Sequence, residues 1–201
     1  MKTTPHIIGI AGPSGSGKTE LARGLARALD GAAVLALDNY YRKMDHLALA
    51  ERARSNFDEP SALEWELLFE NLKELAAGRT VEIPAYDFAR HTRMAEPATV
   101  APGKSIVVEG LFTLHWPEVR SVLDTKVFVR TDPDVCFRRR LERDVVERGR
   151  TPESVRNQWE ATVRPGAEAY IWPTERFADV VVSGEQPLEM SLAAVLEALQ
   201  R

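Results

Sequence analysis

The 201-residue chain carries 30 acidic and 26 basic side chains, a net charge of −4, so no overall basic field draws it to nucleic acid or to an anionic membrane surface. Its length supplies one well-buried core and is too short to suggest two independent domains, so one domain spanning 1–201 is expected. A single cysteine, Cys136, excludes an internal disulfide, and the apolar run HIIGIAG is too short to span a membrane, which together fit a reducing, cytoplasmic setting.

In chain order, the β-branched run IIGIA (7–11) reads as a buried strand feeding the turn GPSGSGKT. TELARGLARAL (19–29) follows as a helix with Leu21, Leu25 and Leu29 on one face, ended by Gly31. AVLAL (33–37) is a second strand, and apolar spacing predicts a helix over 62–76. Between 79 and 102, RTVEIPAYDF and PATVAPG read as two short extended segments around a polar tip, a hairpin inserted between core elements. SIVVEG (105–110), KVFV (126–129) and ADVVV (178–182) are further strands, with helices expected at 133–147, 152–171 and 187–199. This alternation predicts an α/β fold, a mostly parallel five-stranded sheet flanked by helices. No internal repeat or low-complexity tract marks a linker.

GPSGSGKT matches G-x-x-x-x-G-K-[ST] in full, after a strand and before a helix as its mechanism requires. Gly12, Gly15 and Gly17 let backbone N–H groups curl around phosphate oxygens, Lys18 reaches the terminal phosphates, and the helix N-terminus adds partial positive charge. Thr19 would hold Mg²⁺ through its hydroxyl. A glycine-rich turn that binds nothing is the bland alternative, and strand, helix, Lys and Thr together argue against it. Glu109 ends a buried strand where ligands lie in such sheets, suited to metal support although Asp is the familiar residue there. Asp38 in LALDNYY emerges at the same edge and could take a proton from a substrate hydroxyl; as part of a DN pair it could equally be a turn residue.

The segment 133–150 carries Arg138, Arg139, Arg140, Arg143, Arg148 and Arg150, cations of the kind phosphoryl transfer needs. Four-residue pairing of Arg138 with Glu142, Arg140 with Asp144, Arg143 with Glu147 and Asp144 with Arg148 on a solvated face would account for several, leaving Arg139 and Arg150 unpaired. Gly149 breaks the helix, as a lid over a phosphate donor would. In PAYDFARHTR (84–93), Tyr86 and Phe88 can be hairpin core and His91 a tip residue, or all three can line a site.

GPSGSGKT, LDNYY, NFDEPSALEW, PAYDFARHTR, IVVEGLF and KVFVRTDPDVCFRRRLERDVVERGR, followed by ATVRPGAEAYIWPTERFADVVV, resemble in order and spacing the uridine kinase (uridine-cytidine kinase) family of P-loop kinases. The resemblance covers residues 7–182, and YDFxxHxR with RDxxERGR is more specific than the phosphate loop. It implies ATP- and Mg²⁺-dependent phosphorylation of the 5′-hydroxyl of uridine or cytidine in pyrimidine salvage, by a homotetramer. Carried over by position, Asp38 would be the base, and Gly12, Pro13, Ser14, Gly15, Ser16, Gly17, Lys18 and Thr19 would cradle ATP. Arg143 and Arg148 would face its phosphates from a lid over about 138–164, and Thr19 and Glu109 would serve the metal. Asp58, Arg140, Arg150 and Gln158 would hold the ribose, with Tyr41 lining the site, while Tyr86, Phe88 and His91 surround the pyrimidine, which aromatic rings pack by stacking. The chain departs from the usual DHPxAFD at Glu59 and Leu63, and has Trp159 where Tyr is common. A phosphoribulokinase-like or pantothenate-kinase-like enzyme is the alternative within kinases, and a nucleotide-binding regulatory module the alternative outside them.

Overall fold

The computed structural model describes residues 4–52 and 54–200. Its strands are β1 (His6–Ala11), β2 (Ala33–Ala36), β3 (Val81–Ile83), β4 (Tyr86–Asp87), β5 (Thr92–Arg93), β6 (Ala98–Val100), β7 (Ser105–Gly110), β8 (Thr125–Arg130) and β9 (Val180–Ser183). Five of them form one parallel sheet in the order β2-β7-β1-β8-β9, as the strand-helix alternation predicts. The helices are α1 (Lys18–Ala28), α2 (Leu49–Arg52), α3 (Trp65–Ala76), α4 (Pro117–Ser121), α5 (Pro133–Val146), α6 (Pro152–Gln158), α7 (Arg164–Gly166) and α8 (Leu188–Ala198).

The central strands are apolar on both faces because helices cover both. On one side Ile7, Leu35, Ile106, Val108 and Phe128 pack with Leu68, Leu72 and Leu75 of α3. On the other, Ile8, Ile10, Val107, Val127 and Val129 pack with Leu21 and Leu25 of α1 and Val195 of α8. Register then sets the site. Ala11 pairs with Gly110, and Ala36 pairs with Glu109, so the chain leaving β1, the end of β7 and the chain leaving β2 share one carboxyl edge.

Boundaries shift where local structure competes with periodicity. β2 ends at Ala36 because Leu37–Tyr40 closes into a 3₁₀ turn. The helix expected from 62 begins at Trp65, because Leu63 is extended and bridges to Tyr41 after the 3₁₀ turn Pro60–Ala62. The segment expected as one helix over 152–171 is helical but not regular: Trp159–Val163 and Ala167–Ile171 widen to π geometry around α7, where Pro165 lacks an N–H. Between α3 and β7, β3 and β6 form one antiparallel pair and β4 and β5 a separate one around the 88–91 tip. Cys136 is buried and free, with its thiol pushed up to about 11, first by burial. Among the described residues no helix is long and apolar enough to cross a membrane.

Candidate active site

The loop after β1 turns twice through left-handed backbone, at Gly15 (φ 84°) and Gly17 (φ 94°), and then enters α1. Gly15 also permits close approach: a Cβ there would sit 2.4 Å from the Cys136 carbonyl oxygen. Lys18 Nζ donates to the Pro13 carbonyl at 3.4 Å, holding the ammonium back over the loop. Thr19 Oγ1 donates to Glu109 Oε1 at 3.2 Å, so the two expected metal-supporting oxygens are adjacent. The Ser16 hydroxyl is fully buried without a hydrogen-bond partner in the loop. A cradle of backbone N–H groups, an ammonium and an orphaned hydroxyl suits a polyphosphate, and the Thr19–Glu109 pair suits the hard cation that accompanies one.

Asp38 sits in the 3₁₀ turn after β2, between this loop and a second cluster. Burial raises the Glu109 carboxyl, with Lys18 opposing and the Asp38 charge reinforcing it. Burial likewise raises Asp58, opposed by Arg140 and the hydrogen bond from Thr162 and reinforced by Asp38. The Tyr41 hydroxyl lies well above its ordinary value through burial and then Asp38, and Tyr86 is pushed to about 12, chiefly by burial. One carboxylate therefore acts electrostatically on both the phosphate-loop edge and the neighbouring pocket.

That pocket is aromatic. Tyr41 packs edge-on to Phe57 (5.2 Å between ring centroids) and tilted against Tyr86 (5.3 Å), and Tyr86 meets Phe88 edge-on at 5.3 Å. His91, with φ 50°, lies parallel to Phe57 at 5.4 Å. Tyr86 is buried with an unpartnered hydroxyl, whereas Phe88 is 47% exposed, too open for a hairpin core residue. Burial and the Arg150 charge hold His91 below its ordinary value, with Arg148 adding to them and Asp87 opposing, so the ring is neutral at pH 7. Arg93 fastens the hairpin: Nε and Nη2 donate to the Tyr41 and Tyr40 carbonyls at 2.8 and 3.1 Å, and Nη1 pairs with Glu64 at 2.7 Å.

Asp58 accepts Thr162 Oγ1 at 2.8 Å, and a Cβ on Gly166 would meet its carbonyl at 2.4 Å, so the π-widened helix packs directly on this residue. Arg140 Nη1 donates to Ser14 Oγ at 2.9 Å, while Arg140 Nη2 and Arg150 Nη1 share Gln158 Oε1 at 3.0 and 2.6 Å. Of the four pairs expected on a solvated face of α5, Arg140–Asp144 and Asp144–Arg148 form, but around a buried carboxylate, which corrects the setting. Asp144 is fully buried and surrounded by Arg140, Arg143, Arg148 and Arg150, and the Arg138–Glu142 and Arg143–Glu147 pairs do not form. Arg150, expected to be unpaired, reaches Asp144, and Arg139 donates to the Gly184 and Gly15 carbonyls at 2.9 and 3.4 Å.

The phosphoribulokinase / uridine kinase family model matches residues 7–188. The chain belongs to this family. Among relatives in the family, a uridine kinase from Macrococcus caseolyticus is 45% identical over 183 residues, covering 90% of this chain and 88% of that one. Another, a uridine kinase from Chloroflexus aurantiacus, is 43% identical and covers 100% of this chain and 99% of that one. In fold, the chain is similar to the phosphoribulokinase from Rhodobacter spheroides (TM-score 0.69, 17% identity, covering 90% and 70% of the two chains). It is also similar to D-glycerate 3-kinase from Cryptococcus neoformans (TM-score 0.66, 18% identity, 92% and 88%). Kinases named for different acceptors thus share the α/β framework. Four pocket residues of this family member had no assigned role in the sequence reading: Phe57, Arg93, Asp144 and Thr162. All four lie in stretches that carry the family resemblance, Phe57 in NFDEPSALEW, Arg93 in YDFxxHxR, Asp144 in RDxxERGR and Thr162 in ATVRPGAEAYIWPTERFADVVV, so those motifs were the available signal.

Proposed function

We propose that the protein transfers the γ-phosphoryl group of ATP to the 5′-hydroxyl of uridine or cytidine, giving UMP or CMP in pyrimidine salvage. The observation that carries the reading is Asp38, whose charge acts on Glu109 and also on Asp58, Tyr41 and Tyr86. A carboxylate whose charge reaches both the phosphate loop and an aromatic cluster is suited to take the hydroxyl proton during attack.

In this reading residues 12–19 hold the triphosphate, and Lys18, Arg143 and Arg148 neutralise the charge that builds on the migrating phosphoryl group. Thr19 and Glu109 would hold Mg²⁺, which when bound would offset the charge of the donor phosphates. Asp58, Arg140, Arg150 and Gln158 hold the ribose, which fixes the 5′-hydroxyl against Asp38. Tyr41, Tyr86 and Phe88 pack the base, and neutral His91 offers a donor or an acceptor to its position 4, according to tautomer. Pyrimidine acceptance is favoured over a sugar-phosphate or pantothenate acceptor because Tyr41, Phe57, Tyr86, Phe88 and His91 form a connected set of stacked, tilted and edge-on rings suited to a flat base. The whole chain acts as one domain with the 79–102 hairpin as acceptor wall and 138–164 as lid, in a cytoplasmic homotetramer.

The test is direct. The purified chain with Mg-ATP should convert uridine, cytidine or both to the monophosphate, read by chromatography. Turnover of neither, alongside turnover of a sugar phosphate or pantothenate, replaces this reading with another kinase of the same fold.

A further inference from the structure

The roles above leave Asp144 unused, yet it is the most completely enclosed carboxylate in the site, with 0% of its side chain exposed. Four guanidinium groups converge on it, and its two oxygens divide them. Oδ1 accepts Arg143 Nε and Nη2 at 3.0 and 2.8 Å and lies 3.5 Å from Arg148 Nη1. Oδ2 accepts Arg150 Nη1 at 3.1 Å and lies 3.8 Å from Arg140 Nε, a buried N–H with no hydrogen-bond partner of its own. The division follows the proposed substrates: Arg143 and Arg148 belong to the donor phosphates, Arg140 and Arg150 to the ribose.

Backbone structure supports the same arrangement. The chain reverses at Gly149 (φ 62°), and the Arg150 N–H donates to the Asp144 carbonyl at 3.1 Å, so the loop after α5 is folded back onto the residue whose side chain it also meets. Burial pushes the Asp144 carboxyl up, but the Arg143 hydrogen bond and the charges of Arg140, Arg143 and Arg148 outweigh it and hold the group below its ordinary value, hence ionised. Four guanidinium groups around Asp144 leave a local excess of cation, with Arg143, Arg148 and Arg150 partly open to solvent and so accessible to an anionic or hydroxyl-bearing ligand. A buried carboxylate with this many partners is retained at a desolvation cost that surface pairing would not incur.

We propose that Asp144 is a positioning residue that couples the two substrates, fixing the donor-side arginines through Oδ1 and the acceptor-side arginines through Oδ2. When one pair is ordered on its ligand the shared carboxylate restrains the other pair. ATP then tightens nucleoside binding, and by linkage the nucleoside tightens ATP binding by the same factor. The inference rests on the donor and acceptor assignments of the proposed function.

Titration calorimetry on the full chain, with uridine in the absence and presence of a magnesium-loaded, non-transferable ATP analogue, reads the coupling. Wild type is expected to show about a tenfold gain in uridine affinity, and Asp144→Asn, which keeps the size and removes the charge, a gain of about twofold or less. A purely structural residue would lower the melting temperature and leave that ratio intact; an unchanged ratio in the variant, or no coupling in wild type, overturns the proposal. Should Asp144→Asn not fold, Asp144→Glu keeps the charge and displaces both oxygens by one methylene. Loss of most of the coupling supports the proposal, and a wild-type ratio overturns it. If wild type neither binds nor phosphorylates uridine, the acceptor reading is lost, and affinity for the ATP analogue alone decides. Asp144→Asn should weaken it about tenfold by releasing Arg143 and Arg148, and unchanged affinity sinks the Asp144 role.

Discussion

The phosphate loop and the acceptor pocket lie on the same sheet edge but are built in opposite ways. The loop is eight consecutive residues shaped by backbone: Gly15 and Gly17 take left-handed conformations, and α1 starts within the motif at Lys18. The pocket is assembled from side chains on the turn after β2, the segment around Asp58, the β4–β5 hairpin and the lid, brought together by packing. A backbone site of this kind changes little with side-chain substitution, so it serves many kinases of one fold. A site made of dispersed side chains can change one contact at a time, which is how acceptor specificity can vary on one fold.

Substitutions can break or sharpen that contrast. Asp38 joins the two halves, so Asp38→Asn should lower kcat about 10²- to 10⁴-fold while ATP and uridine still bind, measured by steady-state kinetics and calorimetry. Turnover near wild type would remove Asp38 from the base role. On the donor side, Lys18→Gln should cost about 10²-fold in kcat/KM for ATP and leave uridine affinity within about twofold. On the acceptor side, His91→Gln should raise the uridine KM about tenfold with the ATP KM nearly unchanged; a collapse in ATP affinity would instead make the hairpin tip part of the donor site. Phe88→Leu, which removes the exposed ring whose centroid lies 5.8 Å from the Arg148 guanidinium, should raise the uridine KM only about threefold.

His91 adds a pH test. Its folded value is held below the ordinary one, so the unfolded chain binds the proton more readily. Stability therefore falls as pH drops below about 6.5, and uridine kcat/KM should fall over the same interval as a cation forms beside Arg148 and Arg150. His91→Gln should remove this component of the pH profile while leaving any carboxylate-dependent component in place.

The same contrast explains what could be read from the chain. All five sheet strands and the phosphate loop were legible, because periodicity and a contiguous motif are local. Helix register was less so: Pro165 and the approach of Asp58 to Gly166 widen a helix that spacing alone draws as regular. For Asp144 the spacing gave the partners Arg140 and Arg148 but not the burial, since i,i+4 spacing cannot distinguish an exposed ion pair from a buried carboxylate whose partners include the post-helical Arg150. The His91–Phe57 stack joins residues 34 positions apart (91 − 57), a relation that only the fold supplies.

β7 lies between β2 and β1 in the sheet, although it comes some 70 residues after β2 in the chain. A nascent chain of the first hundred residues therefore carries the complete phosphate-loop motif while β1 and β2 lack the strand that joins them. Glu109 and the register that sets Asp38 beside it arrive together, when Ser105–Gly110 inserts. Until then a growing chain holds the motif without the Glu109 carboxylate that meets Thr19, and the order of synthesis delays their pairing until the middle of the sheet has closed.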